Sequence, residues 1–139
     1  QRKRLAAKLA DLQRRTARVR EHVTPTCESL AASPDSLDLV SFNLMLAIQI
    51  CADLASHIIA DEGWQSARTL RESFIRLRDH GVLTPATSDA LARAAGLRNV
   101  VAHGYADVDV ALVHEAATHG VDDLEAFARE VAGFALSHA

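Results

Sequence analysis

Arg98, Asn99, His103 and Tyr105 bring a guanidinium, an amide, an imidazole and the chain's single phenol into eight residues, Arg98-Asn99-Val100-Val101-Ala102-His103-Gly104-Tyr105. Each group suits phosphate chemistry. A guanidinium offers a planar fork of donors that matches phosphate oxygens. An imidazole, with an unperturbed pKa of about 6.5, can take or give a proton near neutrality. Asn99 precedes His103 by one helical turn, placed to orient the ring or donate to a phosphate. Gly104 frees the backbone to leave a helix, and Tyr105 adds a hydroxyl and a ring on which a base can stack. Residue types alone also fit a plainer reading, an Arg/His helix end closed by a glycine.

Other chemistries find less support. His114 and His119 resemble a zinc-protease pair, but that motif needs its second imidazole at i+4, where Thr118 stands. On a straight α-helix, a residue at i+5 lies about 140° round the axis. There is no glycine-rich phosphate loop and no nucleophile elbow. Asp122-Asp123 reads as helix N-terminal charge. Cys27 and Cys51 form no CxxC pair and lie in apolar surroundings, as expected of buried free thiols in a reducing compartment.

At 139 residues the chain is sized for one domain. Six glycines and three prolines favour helices. The net charge of −3 is unevenly spread. Residues 1–20 hold eight Lys/Arg and one acid, and the remainder holds seven Lys/Arg and seventeen acids. A nucleic-acid surface over the whole molecule is therefore excluded, while a local basic face is not. That face is either solvated or a contact for RNA or a partner.

The positioning elements follow from apolar spacing. Leu5, Leu9, Leu12, Thr16, Val19 and Val23 line one face of a first helix, ended by Thr24-Pro25. Ser33-Pro34 opens a second, long helix over Leu37–Ala60 that is apolar on most sides. It reads as a buried helix needing more than one covering surface, and not as a membrane span. Its polar exceptions, Gln49, Asp53 and His57, are four apart and form one stripe. Gly63 suits a left-handed cap. Ser66 is expected to cap a third helix with Leu70, Phe74 and Leu77 inward, closed by His80-Gly81. Thr84-Pro85 opens a fourth that runs to the octet. Asp107 or Asp109 starts a short helix through Ala117, stopped by His119-Gly120. Asp122 or Asp123 starts the last, with Leu124, Phe127, Val131 and Phe134 inward. The expected fold is all-α: an antiparallel up-and-down bundle of four main helices plus short extra ones.

Arg98, Asn99, His103 and Tyr105 together resemble the Arg-x4-6-His signature of HEPN domains, in the Arg-x4-His-x-Tyr form of the HepT-like toxins of HepT/MntA-type toxin–antitoxin systems. The segment Ala47–Ala60 resembles that group's long second helix, and the amphipathic last helix fits as well. The resemblance implies a single HEPN-like domain over residues 1–139 that forms a homodimer with a composite site. The implied activity is metal-independent endoribonuclease cleavage through the RNA 2′-hydroxyl, with no cofactor. Arg98 and His103 would be catalytic, with Asn99 and Asp53 supporting. A minimal nucleotidyltransferase antitoxin would silence the toxin by AMPylation of Tyr105. The implied location is cytoplasmic, with no membrane partner. The alternative from a different class is a non-catalytic HEPN module that binds a nucleotide or a partner.

Overall fold

The computed structural model describes the backbone of residues 2–103 and 109–137, and side chains for 3–98 and 109–137. Every described element is helical: α1 (Arg2–His22), α2 (Cys27–Ala31), α3 (Pro34–Glu62), α4 (Leu70–Asp79), α5 (Pro85–His103), α6 (Val110–Glu115), a π-helical turn (Ala116–Gly120) and α7 (Val121–Ser137).

The long α3 is the central post. Its buried residues, from Val40 through Ile48 and Leu54 to Ile59, recur too densely for a single face. They are covered by α1, α4, α5 and α7 of the same chain. The expectation that α3 needs several covering surfaces is met largely from within. Its outward side includes a stripe of exposed Phe42 and Gln49 and half-buried Leu46 and Asp53, at spacings of four, three and four. α1 runs antiparallel to α3, since Lys8 meets Asp53 and Arg15 meets Asn43.

Phe74 of α4 and Phe127 of α7 are fully buried and meet edge to face, centroids 5.9 Å apart at 83°. This contact ties the α4–α5 hairpin to the α1–α3–α7 layer. Phe127→Ala would leave a cavity there that helices on several sides cannot close. It is expected to destabilise the fold by about 3–5 kcal/mol. A urea midpoint lowered by about 1 M or more is the result to look for, and an unmoved midpoint would place the core elsewhere.

Several local expectations need correction. Ser66 does not cap the third helix. Thr69 does, accepting from the Glu72 amide at 3.1 Å, and Arg76 holds the preceding segment by donating to the carbonyls of Gln65 and Ser66. Arg76 is therefore a brace for that segment. The five-residue α2 has no counterpart in the spacing argument. Too short for a period, it is set by reciprocal Thr26 and Ser29 capping. His119-Gly120 stops nothing: the chain continues from α6 through the π turn into α7. Asp109 does start α6, accepting from the amides of Ala111 and Leu112, while Asp107 lies outside the described residues. Gly63 caps α3 at φ +69°, in the left-handed region.

Cys51 is fully buried, and burial pushes its thiol far above the usual range; Cys27 is half-buried. Thiolate is the reactive form. Iodoacetamide on the native protein is expected to label Cys27 and spare Cys51, and equal labelling of both would contradict this packing.

Candidate functional site

α5 carries the site's cation, and its register is fixed far from that cation. Thr84 and Thr87 cap its start, with the Thr84 hydroxyl accepting from the Thr87 amide at 3.2 Å. Glu130 of α7 accepts from the Thr84 amide at 2.8 Å and from the Thr87 hydroxyl at 2.6 Å. One turn on, the buried Ser88 hydroxyl donates to the Phe74 carbonyl at 3.1 Å. These bonds fasten the start of α5 to α4 and α7, and so fix where Arg98 reaches.

Arg98 donates from Nη1 to Gln49 Oε1 at 2.6 Å. Gln49 Nε2 donates to Asp53 Oδ1 at 3.0 Å, and Lys8 Nζ donates to Asp53 Oδ2 at 3.4 Å. A continuous polar chain thus links α5, α3 and α1, and holds two cations and one carboxylate. The local excess is positive, which favours an anionic ligand. Arginine carries five donor hydrogens, so binding one amide oxygen leaves the rest of the fork for phosphate.

The structure therefore brings together Arg98 and Asp53 of the expected residues, but through Gln49. Both oxygens of Asp53 are engaged, by Gln49 and by Lys8. Asn99 and His103 fall within α5, His103 as its last residue, with side chains outside the described set. Tyr105 lies outside the described residues altogether. The residue that spacing did not connect to the site is Gln49. Its signal was present, as a polar position four residues before Asp53 on an otherwise apolar helix, but only tertiary packing shows which cation it meets. The third member of that stripe departs, since His57 Nε2 sits 3.1 Å from Asp61 Oδ2.

The histidines of the rejected zinc motif have other roles. His114 Nε2 lies 2.9 Å from the Thr24 carbonyl, linking α6 to the loop after α1. The straight-helix angle assumed for His119 does not apply, because the π turn alters the register between the two residues. His119 instead lines a groove of about 540 Å³ bounded by α3, α5, the π turn and α7. At its rim, partial burial raises the Asp123 carboxyl pKa, opposed by Arg93.

The basic face of α1 is largely paired within the chain. Arg20 chelates Glu125 and Asp122 of α7, and these bonds raise its pKa further. Arg15 donates to Asn43, and Arg14 to Asp11.

A family model described as "Ribonuclease HepT-like" matches residues 12–131, which reach from α1 to α7 and contain Gln49, Asp53, Arg98 and the whole octet. The chain belongs to the HepT-like ribonuclease family. Among curated relatives it is 31% identical over 90 residues to the mRNA nuclease HepT of Shewanella oneidensis, covering 65% of this chain and 68% of that protein. It is 28% identical over 94 residues to the tRNA nuclease HepT of Aphanizomenon flos-aquae, covering 68% and 64%. Among solved structures it is similar to the tri-AMPylated Shewanella oneidensis HEPN toxin in complex with MNT antitoxin. The TM-score there is 0.84, with 25% identity and coverage of 93% of this chain and 96% of that one. As a HepT-like protein it shares the all-helical bundle of that toxin.

Proposed function

We propose that this chain is the toxin of a toxin–antitoxin pair and acts as a metal-independent endoribonuclease in a homodimer. The observation that carries the reading is the HepT-like match over residues 12–131, which includes Arg98, Asn99, His103 and Tyr105 in sequence. The excess positive charge around Arg98 supports it.

In this reading the RNA 2′-oxygen attacks the adjacent phosphorus, and the bond from phosphorus to the 5′-oxygen breaks. The products are a 2′,3′-cyclic phosphate and a 5′-hydroxyl. Imidazole at His103 takes the 2′-hydroxyl proton or returns one to the departing 5′-oxygen. The Arg98 guanidinium stabilises the negative charge that builds on the pentacovalent phosphorus. Asn99 positions the phosphate or the imidazole. The outward stripe of α3, with Phe42 46% exposed beside Leu46 and Gln49, gives a second copy of the chain an apolar surface next to the site. A nucleotidyltransferase antitoxin would transfer AMP to the Tyr105 hydroxyl, displacing pyrophosphate from ATP. The added anion and bulk would repel and exclude RNA.

The test offers the unmodified protein a tRNA and an mRNA, because the two curated relatives are named for different RNA classes. Products are expected to carry cyclic phosphate ends. A strand with 2′-deoxyribose at the cleavage position should stay intact. Cleavage of the deoxy strand, or 5′-phosphate ends, would contradict 2′-hydroxyl attack. Binding of RNA without cleavage would favour the non-catalytic HEPN module. Incubation with antitoxin and ATP should add AMP to the wild type and none to Tyr105→Phe, as read by mass spectrometry.

A further inference from the structure

Resting on the ribonuclease reading above, we infer that Gln49 is a positioning residue for Arg98, held in a directed relay by Asp53 and Lys8. Nothing in the Arg/His motif specifies it, because Gln49 lies forty-nine residues away on another helix.

Chemistry fixes the direction of the relay. A guanidinium and an ammonium only donate, and a carboxylate only accepts. The group between Arg98 and Asp53 must therefore accept on one side and donate on the other. An amide does both from one planar head. Gln49 presents its oxygen to Arg98 at 2.6 Å and its nitrogen to Asp53 at 3.0 Å, an assignment the two neighbours enforce. A carboxylate in its place could not donate to Asp53, and an ammonium could not accept from Arg98.

Arginine has many rotamers, and a free guanidinium must lose them as charge develops on phosphorus. Gln49 removes that freedom beforehand. Asp53 in turn keeps the amide from rotating, and Lys8 both anchors Asp53 and offsets its charge. Asp53 thus acts on the cation through Gln49.

Gln49 is exposed, so its substitution leaves the packed core untouched. Gln49→Leu is expected to lower kcat about tenfold with KM little changed, the loss of one hydrogen bond to a charged group realised in the transition state. Gln49→Glu sets a carboxylate against Asp53 and should also be slow. Adding Asp53→Asn to Gln49→Glu rebuilds the relay with reversed polarity. The new amide at position 53 accepts from Lys8 and donates to the new carboxylate at position 49, which accepts from Arg98. That double variant should recover most of the lost kcat. A merely structural role predicts no such rescue. Wild-type kcat in Gln49→Leu, or a double variant no faster than Gln49→Glu, would overturn the inference while active wild type and inactive Arg98→Ala leave the ribonuclease reading standing. Inactive wild type would instead remove that reading, and this inference with it.

Discussion

His103→Ala is expected to lower RNA cleavage by about 10²–10⁴-fold under single-turnover conditions, the range for losing a positioned general acid or base. The reasoning is chemical before it is structural. Neither the 2′-hydroxyl nor the departing 5′-oxygen exchanges its proton readily at neutral pH, and among the octet's side chains imidazole alone titrates there unaided. α5 ends at His103. The variant should also lose the limb of the pH–rate profile near neutrality. A full-rate His103→Ala enzyme would require another proton carrier.

Arg98→Ala is expected to cost about 10²–10³-fold, as removal of a preorganised donor to a developing anion does. Its pH profile should keep the neutral limb while the rate falls at every pH, which separates charge stabilisation from proton transfer. Arg98→Lys should recover only part of the loss. A lysine ammonium can still donate to Gln49 but has no planar fork left to bracket a phosphate. Equal activity of the lysine and wild-type enzymes would reduce the role of Arg98 to bulk charge.

Much of this arrangement was legible in the residues. The apolar spacing of α1 and the density of apolar residues in α3 are properties of single helices, and period alone reveals them. The same holds for the Gly63 cap and the Thr84-Pro85 start, which depend on one or two residues. The misses have a common physical origin. Ser66 and Thr69 both offer a capping hydroxyl, and the choice falls to Glu72 and to Arg76, which fastens the loop from a turn further on. A His-Gly pair ends many helices, yet here the Thr118 hydroxyl donates back to the His114 carbonyl at 2.8 Å and the chain widens into a π turn instead of stopping. The network at Arg98 spans three helices whose contacts are separated by 45 and 49 residues. Sequence spacing lined up Gln49 with Asp53, but the register of α5 against α3 decides that Arg98 meets the amide. Glu130 of α7 and the Ser88 bond to α4 fasten the start of α5, and neither carries a sign of a functional role.

The most direct measurement compares wild type and His103→Ala, both purified free of antitoxin and of AMP, on one RNA oligonucleotide in excess EDTA. The account predicts that the wild type cleaves at a rate unaffected by the chelator and that the variant is slower by about two orders of magnitude or more. Wild-type cleavage that disappears in EDTA, or equal rates for the two proteins, would contradict it.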